Sequence, residues 1–326
     1  MRIDKRIFRR SPLSSFKIAC GVVGLLLALS GCDLMDESLD EFEAEVIVES
    51  YQVAGETLKP VFLSHTVAVD DIYDFRQHAI SGASVRVSLL DAQNAPVEVI
   101  PYVESDTLTG MYVPDGEHVV QPLGSYRLDA DVVGFEAAVS ATTVVPDTFH
   151  LISSNVDTLE YLGSEQLELI ITRSNYPNRQ NIFVFEVEAL LPMVELLTPF
   201  AASVFEDLLD GENLDELVSG SSPPLNEGNY DPNPDGTLTL KIPWFSFSFF
   251  GPNRLTANAI DDNLLDFYRS QLVQQGGSTF SPGEIPNVLE KVDGGRGVFG
   301  SYADITFDTF IIPAGFEFSA PQRGWE

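Results

Sequence analysis

The chain has 326 residues, 49 of them acidic and 18 basic, for a formal net charge of −31. That sign excludes binding along a phosphate backbone, so nucleic acid is not a partner, and it excludes adhesion to anionic lipid through a basic patch. Both cysteines, Cys20 and Cys32, lie near the start. The remainder can hold neither a disulfide nor a thiolate metal site, so its fold must rest on a core supplied by the 44% hydrophobic residues and 22 Phe.

Residues 1–31 carry a basic run (Arg2, Lys5, Arg6, Arg9, Arg10, Lys17) followed by an apolar stretch from Ile18 to Leu29. This is the layout of a bacterial secretory signal, and its apolar part is shorter than the about 20 residues of a membrane span. Leu29-Ser30-Gly31-Cys32 is the signature of a lipoprotein signal. Cleavage is expected before Cys32, whose thiol and new amino group would carry acyl chains; two or more such chains anchor stably where one does not. The alternative is an ordinary signal peptide that happens to hold a cysteine. Residues 32–43 are an acidic tether, too charged to fold, and reach a membrane only through the anchor. With six basic residues in the signal, the rest of the chain is more acidic still, a balance suited to a salty medium that screens self-repulsion.

From Ala44 the pattern turns to period two. Strands are expected over 45–51, 61–67, 84–91, 97–100, 124–132 and 137–145, with Val85, Val87 and Leu89 facing one way and Asp91 to Asn94 forming a turn. Short strands, Gly/Pro/Asn/Asp turns and no helical pattern predict an antiparallel β-sandwich (Ig-like or transthyretin-like) over 44–148.

Residues 149–326 predict a strand-rich α+β part. Paired strands are expected over 165–172 and 181–188. A helix should start at Thr198-Pro199 and stop at Gly211, burying Phe200, Val204 and Leu208. A Pro/Gly/Asn-rich loop covers 219–236, then a strand from Thr237 runs on through Trp244 to Phe250. A second helix is expected over 258–275 and a strand over 298–312, with a loosely ordered tail from Ala314. Gly294-Gly-Arg-Gly297 lacks the Lys-Ser/Thr of a phosphate loop and reads as a turn.

Three features offer chemistry. Asp231, Asn233 and Asp235, ahead of Gly236, match the start of a calcium loop, but the closing acid would fall on Ile242, so a plain turn is the simpler reading. Trp244, Phe245, Phe247 and Phe249 could form a stacking platform, with the three phenylalanines on one strand face; such a ladder is more commonly sheet core. His65, His78, His118 and His150 are scattered without metal-ligand spacing, and no Gly-x-Ser-x-Gly elbow is present. No catalytic residue, metal or cofactor is predicted beyond the covalent lipid on Cys32.

The lipoprotein signature, the tether, Ile80-Ser-Gly-Ala-Ser-Val-Arg-Val87, Gly124-Ser-Tyr-Arg-Leu128, Leu265-Asp-Phe-Tyr-Arg-Ser-Gln271 and Gly297-Val-Phe-Gly-Ser-Tyr302 together resemble the Bacteroidota outer-membrane lipoproteins grouped as domain of unknown function 4249. The resemblance implies a sandwich like carboxypeptidase-regulatory or transthyretin-like modules, then a family-specific C-terminal part, with 188–236 as the region of greatest departure. It implies attachment to the outer membrane, on the cell surface or the periplasmic face, and association with a TonB-dependent receptor. The role implied is non-enzymatic: ligand capture, or support of that transporter. The alternatives are an extracellular hydrolase with a site in the C-terminal half, and a structural envelope or adhesion module. An enzyme should gather histidines and acids in one cleft. A capture protein should show an aromatic-lined groove.

Overall fold

The fold was analysed in a computed structural model, which describes residues 42–135, 138–204, 214–272 and 289–315. The lipoprotein signature, the tether to Glu41 and the tail from Phe316 lie outside the described residues. The described residues from Ala44 onward form one compact unit.

The molecule is mainly β, as the alternation predicts. Its first seven strands are β1 (Val46–Val53), β2 (Val61–His65), β3 (Ser84–Leu90), β4 (Pro96–Glu104), β5 (Met111–Pro114), β6 (Ser125–Asp131) and β7 (Val139–Val144). They lie in the order β1-β2-β5-β4-β3-β6-β7, and every pair among them is antiparallel. Side chains from all seven meet in one core, among them Val48, Leu63, Val87, Ile100, Tyr112, Leu128 and Val139. A flat sheet could not bring both ends of that order together, so the sheet curls into a sandwich-like arrangement. The turn at 91–94 forms as expected: Asp91 Oδ1 accepts from Gln93 N at 2.8 Å and Ala95 N at 2.9 Å. Two elements escape the alternation: β5, only four residues long, and a one-turn helix, Phe75–His78, whose first turn is capped by Asp74 Oδ1 accepting from Arg76 N at 2.9 Å.

The second half adds β8 (Leu151–Ser154), β9 (Thr158–Glu160), β10 (Leu167–Ile171), β11 (Ile182–Ala189), β12 (Ser219–Ser221), β13 (Leu225–Asn226), β14 (Leu238–Ile242), β15 (Gly251–Ile260), β16 (Val292–Asp293) and β17 (Arg296–Ile312). The main sheet has 14 strands, and its path continues from β1 through β17 and β15 to β11 and β12. β17 pairs in parallel with β1, aligning Val48 with Gly297. Buried side chains nonetheless divide near residue 148: the first core holds residues 46–145 with Phe299, and the second holds residues 149–311.

The expected pairing of 165–172 with 181–188 is not made. β10 pairs with β14 and β8 in a separate three-stranded sheet, whereas β11 pairs with β15. The two strands meet face to face: Leu167, Leu169 and Ile171 pack in the same core as Phe183, Phe185 and Val187. Burial of β11 on both faces explains its nearly unbroken apolar run, because Ile182 and Val184 on its other face pack under the Asp262–Leu272 helix with Leu264 and Leu265. That helix begins four residues later than expected, since Asn258 to Ile260 close β15. Gly300 lies beneath it, and a Cβ there would stand 2.6 Å from Leu264 Cγ, so glycine permits the close approach.

Candidate functional site

β14 ends at Pro243, which cannot extend a ladder, and the chain turns through a single 3-10 turn, Trp244–Ser246. The continuous strand expected over 237–250 is therefore broken, and the phenylalanines do not share a face. Phe247 and Phe249 are fully buried in separate apolar clusters, whereas Phe245 is 53% exposed. The four-residue platform reduces to Trp244 and Phe245.

These two rings are joined by Phe200. The Pro199–Val204 helix starts as predicted, with Thr198 Oγ1 accepting from Ala201 N at 3.4 Å, and Thr198 is fixed to the turn by its own N donating to Ser248 O at 2.9 Å. Its buried residue is Ala201, however, while Phe200 and Val204 are exposed; Leu208 and Gly211 fall outside the described residues. Of the expected stripe, Phe200 lines an open groove. Trp244 lies 5.9 Å from Phe200 and 5.7 Å from Phe245, ring centre to ring centre, and is backed by Tyr161 at 5.0 Å. The Tyr161 hydroxyl also accepts from Phe200 N at 3.0 Å.

The groove has a volume of about 450 Å³. Phe185 and Val187 of β11 line it on one side and Phe200 and Phe245 on another, with Ser221, Ser222 and Pro223 along the wall. That wall comes from the predicted loop over 219–236, which instead adds β12 and β13 to the edge of β11. Ser222 secures it, its Oγ accepting from Phe185 N at 3.0 Å and its N donating to Phe185 O at 2.8 Å. Further along, buried Glu227 ion-pairs with Arg173 and accepts from Asn181 N and Nδ2, each at 3.2 Å. Lys241, which also lines the groove, pairs with Glu168 at 2.9 Å. Aromatic faces beside short hydroxyls suit a ligand that is largely apolar with a few hydrogen-bonding groups.

The calcium-loop residues are occupied by their own turn. Asn233 Nδ2 donates to Thr237 Oγ1 at 2.9 Å and Thr239 Oγ1 at 3.1 Å, and Asp235 Oδ1 accepts from Thr237 N at 3.0 Å. The Thr237 hydroxyl, donating to Asp235 Oδ1 at 2.7 Å, and then the Thr237 N–H hold the Asp235 carboxyl below the usual range. Among the described residues, no group of three or more His, Cys, Asp or Glu could hold a metal. The histidines do not converge on the groove. His118 faces Glu98 at 3.2 Å and Tyr126 at 3.3 Å, His65 packs edge-on to His78 at 5.0 Å, and His150 sits exposed before β8.

One buried acid escaped sequence reading. Asp261, at the junction of β15 and the Asp262–Leu272 helix, accepts from Leu264 N at 2.8 Å, and its Oδ2 lies 2.5 Å from Thr143 Oγ1. Thr143 Oγ1 in turn lies 2.5 Å from Ser301 Oγ, which donates to Val144 O at 3.2 Å. A protonated Asp261 satisfies that whole chain of hydroxyls, and burial pushes its carboxyl up to about 7 against the hydrogen bonds that oppose the rise.

These elements define a β-rich scaffold with an aromatic groove on its C-terminal half. The profile of the family described as Domain of unknown function (DUF4249) matches residues 35–307, and the chain belongs to that family. No curated protein matches the chain. Solved structures resemble it only remotely. An alpha-2-macroglobulin of Salmonella reacted with methylamine is 11% identical with a TM-score of 0.23, covering 82% of this chain and 15% of that one. Trypsin-activated alpha-2-macroglobulin of Escherichia coli is 10% identical with a TM-score of 0.20, covering 68% and 14%. The three N-terminal domains of the bacteriophage RB49 outer capsid protein Hoc are 12% identical with a TM-score of 0.22, covering 82% and 70%. The chain thus spans less than a fifth of those two macroglobulin chains. Among the described residues, no helix is long and apolar enough to cross a membrane.

Proposed function

We propose that this chain is a lipid-anchored, surface-exposed outer-membrane protein that captures a ligand in the aromatic groove and serves a TonB-dependent receptor, without catalysing a reaction. The observation that carries this reading is the groove itself: Phe200 and Phe245 stay exposed beside one another although the same chain buries Phe247 and Phe249 completely. Exposed aromatic pairs on a rigid frame are what a binding surface needs, since the rings contribute large contact area at low ordering cost. The sequence Leu29-Ser30-Gly31-Cys32 supports the anchor, and among the described residues the groove is lined by aromatic, aliphatic and hydroxyl side chains with Lys241, and by no carboxylate or imidazole, which favours binding over acid–base chemistry.

Affinity isolation from detergent-solubilised outer membranes tests the reading. Recovery of a TonB-dependent receptor by the native chain, lost in the double variant Phe200→Ser, Phe245→Ser, is the expected result. Equal recovery by the variant, or recovery of neither, overturns it.

A further inference from the structure

The face of the main sheet opposite the groove holds a second cavity of about 220 Å³, beneath the Asp262–Leu272 helix. Side chains alternate along β11, so Phe185 and Val187 face the groove while Glu186 between them faces this cavity. Its lining is built from five elements: Tyr51 of β1, Glu186 of β11, Asn258 of β15, Tyr268 of the helix and Tyr302 of β17. Asn258 is only 7% exposed and lines the cavity. Asp304 stands directly beside Asn258 in the β15–β17 register. Burial raises the hydroxyls of all three tyrosines, and neighbouring carboxylates raise them further: Glu49 at Tyr51, Glu186 at Tyr268, and Asp304 with Glu186 at Tyr302. Among the described residues, the cavity lining includes no basic side chain.

We propose that this cavity is a second binding site, taking a small organic cation, an ammonium-bearing molecule held by Tyr51, Tyr268 and Tyr302 with Glu186 as counter-charge and Asn258 as hydrogen-bond partner. Tyrosine rings attract cations through their negative faces, and several such rings beside a carboxylate are the arrangement that recognises alkylammonium groups. An anion is repelled by the same carboxylates. The volume suits a compact molecule and lies below the range of drug-sized pockets, about 300–1,000 Å³. The site is independent of the groove and of the receptor it is proposed to serve.

Calorimetric titration of the full chain in detergent, with choline as probe and 3,3-dimethylbutan-1-ol as its uncharged isostere, tests this. Choline should bind saturably and about tenfold or more tighter than the isostere. Glu186→Gln should weaken choline about fivefold, and Tyr268→Ala more, while Phe245→Ala leaves it unchanged. Glu186 is exposed on its strand, so its variant retains the fold even if Tyr268→Ala disturbs the helix. No saturable choline binding, equal binding of the isostere, preference for a neutral sugar such as glucose, or an unaffected Glu186→Gln variant would each overturn the assignment.

Discussion

The two halves of the sheet spend their aromatic side chains differently. In β1 to β7 the tyrosines close the core: Tyr112 is buried with its hydroxyl donating to Ile80 O at 2.8 Å, and buried Tyr126 accepts from Gln121 N at 2.8 Å. In the second half, Phe183, Phe247 and Phe249 fill the interior while Trp244, Phe245 and Phe200 gather around the groove, and Tyr268 and Tyr302, with Tyr51 of β1, line a cavity on the other face. The first half is a scaffold whose polar groups answer one another. Concave surfaces occur where β11, covered on both faces, is hemmed by turns that Pro and Gly force out of the ladder. Strand count alone would not have separated the two; the fate of each ring does.

Substitutions at the seam between the halves should have the largest effect. Gly297 has φ of +101° and lies against Val48, whose carbonyl oxygen any Cβ would strike. Gly297→Val should cost about 3 kcal/mol or more and be read as loss of a cooperative thermal transition in both halves, not the second alone. Gly300→Ala is the milder probe, pushing the Asp262–Leu272 helix off the sheet at about 1–3 kcal/mol while choline binding weakens.

Asp261 supplies a pH dependence at the same seam. Its folded pKa, about 7, lies above the ordinary carboxyl value of 3.8, so the folded state binds the extra proton between those values. Its contribution to stability is present at low pH and is lost as pH rises from about 4 to about 7. Asp261→Asn keeps an oxygen for Leu264 N and supplies permanent donors, so it should raise the melting temperature by a few degrees at pH 8 and flatten the pH profile across that window. An unchanged profile would show that the carboxyl stays ionised. The smallest effects lie at the surface. Phe245→Ser should change stability by about 0.5 kcal/mol or less, and added NaCl should raise the melting temperature modestly by screening the charge of −31. A flat or falling salt response would contradict that reading of the acidity.

Much of the first half was legible because its strands alternate: β3 alternates Val85, Val87 and Leu89 with the polar Ser84, Arg86 and Ser88, and Asp91 closes the turn by its own hydrogen bonds. In the second half the central strand β15 went unread. Its core face carries Leu255, Ala257 and Ala259, small because Phe183 and Phe185 of the neighbouring strand take up the space, and its other face carries Arg254, Thr256 and Asn258. Weak alternation of that kind resembles the start of a helix. The aromatic ladder misled for a local reason: alternation from Phe245 to Phe249 holds only if the strand continues, and Pro243 was the sign that it stops. Asp261 could not be found among 49 acids, since only folding shows which one is buried.

The account turns on the groove being the surface that meets the partner. Placing a photo-crosslinking residue at Phe245 in intact cells, with a control at exposed Val97 on β4, tests it most directly. The account predicts a crosslink to a TonB-dependent receptor from position 245 and none from position 97. A crosslink from both positions alike, from position 97 only, or from neither would contradict it.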